Sequence, residues 1–520
     1  MLAKTYGSAV YGVDAHLITI EVSIGQGIKF FMVGLPDSAV KESEQRVDSA
    51  IKHVGFEMPR IKTVVNLAPA DIRKEGSAYD LPIALGILSA SGQIDAPELG
   101  RYMIMGELSL DGILRPVRGA LPMAIEARKH EFKGIILPKE NATEAAIVNK
   151  LDVIGVETLR QAIDFLEGKK QIEPHWHETR DIFFQEMDNF DVDFADVQGQ
   201  ESIKRSLEVA AAGGHNVIMV GPPGSGKTML ARRLPTILPP LSLQEALETT
   251  KIHSVAGKLP PGSSLIAQRP FCAPHHTISD AALVGGGNIP QPGQISLAHN
   301  GILFLDELPE FKRSVLEVMR QPLEERAVTI SRARGTVNFP ANFMLIASMN
   351  PSPSGDFYDP NAGHPDSASA VQRYLAKISG PLLDRIDLHV EVNPVSFDEM
   401  TSQRRQESSA SIRERVVAAR QIQQQRFDAL RESGRLKEPV YSNAMMPSQL
   451  VKEVCQINQA GKTLLKTAME RLNLSSRAYD RILKVARTIA DISASENIQI
   501  EHLAEAIQYR SLDREGWFGR

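Results

Sequence analysis

Along residues 1 to about 165, short apolar runs of strand length alternate with stretches of helical length. TVVNLAP (Thr63–Pro69), RYMIMGEL (Arg101–Leu108) and KGIILP (Lys133–Pro138) are apolar runs closed by polar or turn residues, which predicts buried strands. DLPIALGILSASG (Asp80–Gly92) is long enough for a helix and ends on glycine, a common helix terminator. From 168 to 195 the pattern dissolves into a polar, acidic stretch, GKKQIEPHWHETRDIFFQEMDNFDVDFA, that reads as a linker. A compact pattern resumes at Asp196 with a helix over Gln200–Ala212, the strand NVIMVG and a glycine-rich turn. Strand–helix alternation then runs to about Pro394, and beyond it the chain is almost purely helical in period. The expected division is an α+β domain over 1–167, a linker over 168–195, an α/β core over 196–394 and a helical domain over 395–520.

Composition narrows the class. A chain of 520 residues exceeds one hydrophobic core, and 42% apolar with 23% charged residues is ordinary for a globular protein. No apolar run reaches the ~18 residues of a membrane span, and MLAKTYGSAVYGVDAH lacks the basic start and apolar core of a secretory signal. Cys272 and Cys455 are too few for a disulfide framework and form no CxxC pair for zinc. The expectation is a cytoplasmic protein. A net charge of -5 means that any nucleic-acid surface is a local patch.

The chemistry begins with GPPGSGKT, comprising Gly221, Pro222, Pro223, Gly224, Ser225, Gly226, Lys227 and Thr228. It fits G-x-x-x-x-G-K-[ST] between a strand and a helix: backbone N–H groups cradle phosphates, Lys227 reaches the β/γ-phosphates and Thr228 offers a hydroxyl to Mg²⁺. GILFLDE (Gly301–Glu307) is an apolar strand tipped by two carboxylates, Asp306 for Mg²⁺ and Glu307 to polarise the attacking water. NFMLIASMNP (Asn342–Pro351) ends in Asn350, which either positions that water or opens an Asn-Pro turn. Arg385, in PLLDRIDLHVEV, is a candidate transition-state finger for a neighbouring subunit or a partner of Asp384 or Asp387. Arg477 and Arg481 lie one turn apart on a helix over Leu474–Ile492; either reaches back to the nucleotide or is surface charge.

Two insertions stand out. About 75 residues separate Thr228 from Asp306, more than a simple crossover uses. The adjacent His275 and His276 inside that stretch lack a third ligand nearby, so a structural or loop role is expected over a metal site. ISRARGTVNFPAN (Ile330–Asn342) predicts a hairpin turning near Gly335 with Arg332 and Arg334 at its tip. The segment Thr401–Lys437 carries nine basic and four acidic residues, either a solvated helix face or a phosphate-contacting surface.

The order of these pieces is that of AAA+ proteins, and from about 196 to 510 the chain resembles the magnesium-chelatase-like AAA+ family. DVQGQESIKRSLEVAAAGGHNVIMVGPPGSGKTMLARRLP carries the likeness, as do RPFCAPHHTISDAALVGGG and PGQISLAHNGILFLDELPEF. With its front domain the chain resembles the competence protein ComM subfamily. The resemblance implies an AAA+ P-loop core with a helical lid, and an enzyme that uses ATP and Mg²⁺. It assigns the phosphate loop, Asp306, Glu307, the sensor Asn350, the finger Arg385 and the lid Arg477 the roles above. It also implies homohexameric rings and a helicase driving branch migration of single-stranded or branched DNA. Alternatives are a metal-insertion chaperone, an ATP-dependent protease and a protein-remodelling motor. Met105–Asn141 and RKEGSAYDLPIAL resemble the proteolytic domain of Lon, a ribosomal-protein-like α+β fold. Where that family needs a lysine base this sequence has Pro122, and Ser77 lies one position off the expected nucleophile.

Overall fold

The computed structural model describes the chain except residues 1, 177–178, 261, 263–264, 288–289, 333–334, 356–367, 402–405, 438, 473 and 511–520. Two sheets organise it. The first contains β1 (Leu2–Tyr11), β2 (Asp14–Gly25), β3 (Phe30–Val33), β4 (Lys62–Ala68), β5 (Tyr102–Ile104), β8 (Gly134–Pro138) and β9 (Asp152–Val156), in the order β3-β4-β2-β1-β5-β8-β9. A ribbon of β6 (Glu107–Leu108) and β7 (Leu114–Arg115) stands beside it. β1 and β2 form a hairpin in register from Leu2 opposite Ser23 to Tyr11 opposite Asp14. The expected strands appear as β4, β5 with β6, and β8.

The expected helix at Asp80 spans Asp80–Ala90 and is buried on almost every side. That explains its lack of amphipathic period: a helix apolar all round belongs in a core. Gly86 lets it lie close on the sheet, since a Cβ there would come 2.7 Å from Val22 Cγ2. Its first residue, Asp80, is buried and takes two hydrogen bonds from Arg46, at 2.7 and 3.0 Å. Within the stretch expected as a linker, Thr179–Glu186 is helical and Phe183 is buried in the first core.

The second sheet is wholly parallel, β11 (Phe271–Cys272), β14 (Ile302–Leu305), β17 (Met344–Met349), β10 (Val217–Val220) and β18 (Leu388–Glu391), side by side in that order. VIMV, ILFL and MLIASM are buried throughout, as strands covered on both faces must be. One face packs with the helices Ser409–Glu432, Gln459–Arg471, Ser476–Ile492 and Ile500–Gln508 in a shared core. The other face packs with the hairpin of β15 (Ala327–Arg332) and β16 (Gly335–Pro340). A short ribbon, β12 (Gly285–Gly286) and β13 (Gln291–Pro292), occupies the insertion before β14.

Much of that insertion joins the two regions. Leu241, Ala246, Leu265 and Ala267 belong to the first core, and the helix Leu243–Ala256 packs on Ala120–Lys129 of the front region. Lys251 pairs with Asp14 at 2.9 Å, and Tyr11 donates its hydroxyl to the Thr336 carbonyl of the hairpin at 3.1 Å.

Candidate functional site

The chain after β10 runs past β17 and β14 to β11, whereas the chain after β17 runs the other way, past β10 to β18, so the connections of these two adjacent strands part and open a crevice at their C-terminal ends. The loop Gly221–Gly226 occupies that crevice. A Cβ at Gly221 would fall 2.2 Å from the Val392 carbonyl oxygen, and Gly226 has φ +87° before the helix Lys227–Arg233, so both positions require glycine. Gln200 braces the loop through its side-chain amide, donating to the carbonyls of Ser225 at 2.9 Å and Asn393 at 3.1 Å.

Lys227 is only 8% exposed. Its ammonium donates to the carbonyls of Gly221 (2.6 Å) and Pro222 (2.9 Å) and to Asn350 Oδ1 (3.3 Å). Burial pushes its pKa down, while Asp306 and Glu307 nearby oppose that shift. Thr228 donates its hydroxyl to Asp306 Oδ2 at 2.7 Å, although 78 positions separate the two. The other Asp306 oxygen accepts from Ser348, and the Glu307 N–H points to that same hydroxyl at 3.4 Å. Glu307 turns away from the strand with φ +55°, leaving its side chain 57% exposed. Asn350 follows β17, and its backbone engages the Tyr374 phenol, pushed up to about 12 by burial.

The structure thus gathers Lys227, Thr228, Asp306, Glu307 and Asn350 at the ends of three neighbouring strands. A threonine hydroxyl against a carboxylate is an oxygen pair suited to a hard divalent cation, so these residues fit Mg²⁺ held with a nucleotide's phosphates. Ser348, Gln200 and Tyr374 were not singled out by motif. The one sequence signal for Ser348 is a polar residue inside an otherwise apolar strand, two positions before Asn350.

The arginines lie apart. Arg385, 7% exposed, donates to Pro381 O at 2.6 Å and pairs with Glu324; neither partner belongs to the loop. Arg477 is exposed on the first turn of Ser476–Ile492. Arg481, one turn on, pairs with buried Asp387, which also accepts from the Asn216 N–H at 3.1 Å and lies 3.3 Å from His215 Nδ1. The basic helix is largely spoken for: Arg413 pairs with Asp188, Arg415 with Glu208 and Glu407, Arg426 with Asp491 and Arg431 with Asp428. Arg420 donates to the Tyr441 and Ala211 carbonyls. The predicted hairpin exists, and Arg332 is opposite Gly335 at its end; Arg334 and the Arg332 side chain lie outside the described residues. In the front region Ser77 donates to the Glu107 carboxylate, and Pro122 is buried in the first turn of Ala120–Lys129. Among the described residues no group of three or more His, Cys, Asp or Glu could hold a metal ion, and no helix is long and apolar enough to cross a membrane.

Comparison with known proteins gives three family matches. The family described as Magnesium chelatase, subunit ChlI, matches residues 193–400; Subunit ChlI of Mg-chelatase matches 20–141; and Magnesium chelatase, subunit ChlI C-terminal, matches 406–510. Competence protein ComM of Haemophilus influenzae is 44% identical over 517 residues, 99% of this chain and 98% of that protein. Uncharacterized protein YifB of Escherichia coli is 44% identical over 518 residues, 99% and 98% of the two chains. Lon protease 2 of Bacillus subtilis is 33% identical over 154 residues, covering 27% of this chain and 26% of that one.

Proposed function

Since the chain belongs to the ComM subfamily of magnesium-chelatase-like AAA+ proteins, a family that suggests ATPase activity, we propose that it is an ATP-driven motor on DNA, a homohexameric branch-migration helicase. The observation that carries the ATPase reading is the convergence of Lys227, Asn350, Thr228 and Asp306 at the crevice beside β10. Lys227 exchanges its carbonyl partners for phosphate oxygens, a stronger, charge-assisted bond. Thr228 and Asp306 would hold Mg²⁺, which would supply charge neutralisation at the phosphates. Glu307 polarises the attacking water and Asn350 orients it. Arg385 leaves Glu324 to serve a neighbouring subunit's nucleotide, and Arg477 approaches it from the lid.

The DNA reading is supported by the full-length likeness to a competence protein and by the hairpin β15–β16, which leads through three residues into β17 and so toward Asn350. Arg332 and Arg334 would bind phosphates without reading sequence, which suits a translocating enzyme. The test is ATP hydrolysis with and without single-stranded and four-way branched DNA, together with strand displacement. Stimulation and displacement are expected. Hydrolysis that ignores both DNAs, with no DNA binding, would overturn the helicase reading in favour of a protein-remodelling motor.

A further inference from the structure

A second charged cavity lies at the other end of the parallel sheet. Gly301 and Met344 stand at the N-terminal ends of β14 and β17, a strand's length from the crevice, and border a space of about 80 Å³. Three arginines line it, each from a different part of the fold. Arg269 lies two residues before β11, in the insertion. Arg326 ends the helix Arg320–Glu325 and leads directly into β15, at the base of the hairpin. Arg420 belongs to the helix Ser409–Glu432. Among the described residues the one carboxylate in the lining is Glu245.

These cations are short of counter-charge. Three guanidinium groups face one carboxylate, a net of two positive charges. Glu245 is shared: it lies 3.3 Å from Arg269 and also accepts the Ser242 N–H at 2.8 Å, closing the start of Leu243–Ala256. Arg269 otherwise donates to the carbonyls of Pro239 (2.6 Å) and Asn300 (2.7 Å), Arg326 to that of Phe343 (2.8 Å) and Arg420 to that of Tyr441 (2.8 Å). Carbonyls satisfy N–H groups but bring no net negative charge, and a guanidinium withdrawn from water without a counter-ion is costly. Arg420 Nε is buried with no acceptor among the described residues. Burial, with the Arg269 charge nearby, pushes the Arg420 pKa down to about 9, and burial lowers that of Arg326 as well. Asp387 acts on Arg326 from outside the lining, but it is already paired with Arg481.

The walls are shaped for these groups. Arg326 has φ +55°, a conformation that a long side chain adopts only where its surroundings impose it. A Cβ at Gly214 would fall 2.8 Å from Ser442 Oγ and 3.2 Å from Arg420 Nη2, so only glycine leaves room there for the hydroxyl and the guanidinium. The space exceeds the roughly 30 Å³ that a water molecule takes in the liquid, and is far below the roughly 300 Å³ at which pockets for drug-sized ligands begin. Planar guanidinium forks around a space of that size match a small tetrahedral oxyanion, which accepts charge-assisted hydrogen bonds from several directions. We propose that this cavity binds free inorganic phosphate, or an oxyanion of its size and charge, through Arg269, Arg326 and Arg420, and that the bound anion fastens Ser409–Glu432 to the insertion and to the base of the hairpin. The proposal does not rest on the ATPase or helicase readings.

The experiment follows the thermal midpoint of the full chain in rising inorganic phosphate, against chloride at matched ionic strength. It uses Lys227→Ala, in which the crevice has lost its cation. A ligand that binds the folded chain raises the midpoint with its concentration, and phosphate is expected to do so. Adding Arg420→Gln or Arg326→Gln removes one charged donor and should weaken the apparent phosphate affinity about tenfold or more. Hydrogen exchange in Ser409–Glu432 should slow with phosphate in Lys227→Ala and stay unchanged in the double variants. Phosphate that shifts the midpoint no more than chloride would overturn the site, as would a shift that survives both arginine substitutions. Binding that leaves hydrogen exchange in Ser409–Glu432 unaltered would overturn the fastening. The two arginines belong to different elements, so if one variant does not fold the other still decides the question.

Discussion

The crevice at β10 and the surroundings of Ser77 hold the same pair of groups, a side-chain hydroxyl donating to a carboxylate: Thr228 to Asp306 in one, Ser77 to Glu107 in the other. What differs is the third group. Beside Thr228 stands Lys227, whose ammonium rests on two carbonyls and on Asn350 in a crevice between diverging strand connections. Beside Ser77 the nearest lysine in sequence, Lys74, is buried with its ammonium on the Pro69 carbonyl, and Pro122 is buried in the first turn of Ala120–Lys129. A hydroxyl–carboxylate pair is therefore not a site by itself. It is a candidate site where a cation and an open crevice converge on it, and a structural bond where neither does.

The sharpest way to break this comparison is to remove the cation. Lys227→Ala is expected to abolish ATP hydrolysis, while Ser77→Ala leaves it unchanged; a Ser77→Ala enzyme with impaired ATPase would show that the two sites are not independent. Glu307→Gln should retain ATP binding, measured with a fluorescent nucleotide, and lose about a hundredfold or more in turnover, the usual worth of a general base. Arg385→Ala should lose roughly a thousandfold in hydrolysis if it acts as a finger in trans. Mixing it with Lys227→Ala subunits should restore part of the rate, and co-assembled mixtures that recover nothing would show that Arg385 serves only its own chain. The hairpin variant Arg332→Ala with Arg334→Ala should keep basal ATPase, lose its DNA response, and bind DNA with a log–log salt slope shallower by about two. Unwinding of branched DNA at the parent rate would rule out the hairpin as the grip.

The smallest expected effect contrasts two buried aspartates. Burial raises Asp80 to about 6, and the hydrogen bonds from Arg46 offset this only in part. Burial also pushes Asp387 up, but Arg481, His215 and Lys484 outweigh it and hold the carboxyl far below the usual range. Between about pH 4 and 6 the folded chain keeps a proton on Asp80 that the unfolded chain has lost, so this residue's contribution to stability falls as pH rises through that window, by about 3 kcal/mol at most. Asp387 acts in the other sense, its contribution being lost as pH falls below the unfolded carboxylate range. The urea midpoint at pH 7 minus that at pH 4.5 should therefore be more positive in Asp80→Asn than in the parent. An unaltered pH dependence would show that Asp80 is ionised throughout.

The sequence by itself singled out the residues that meet at the crevice beside β10. Gly221 to Thr228 are contiguous, and their conformation is coded locally by glycines that no other residue replaces. GILFLDE and NFMLIASMNP announce themselves as apolar strands with polar tips. It also determined that a hairpin precedes Asn350, and that the front region shares a pattern with Lon. Only the tertiary structure decided the partners. That Ser348 holds Asp306, that Gln200 braces the loop and that His276 reaches Glu307 follow from a strand order that places β17 between β14 and β10 and β11 on the outer side. Arg477 and Arg481 are indistinguishable in helical period, yet only Arg481 faces Asp387. The arginines of Ser409–Glu432 look like a free basic face until their partners are seen, some from other elements, such as Glu208 and Asp491, and some local, such as Glu407 and Asp428. Local sequence fixes backbone conformation over a few residues, whereas a side chain's partner depends on which distant element the fold packs against it, and no periodicity carries that information.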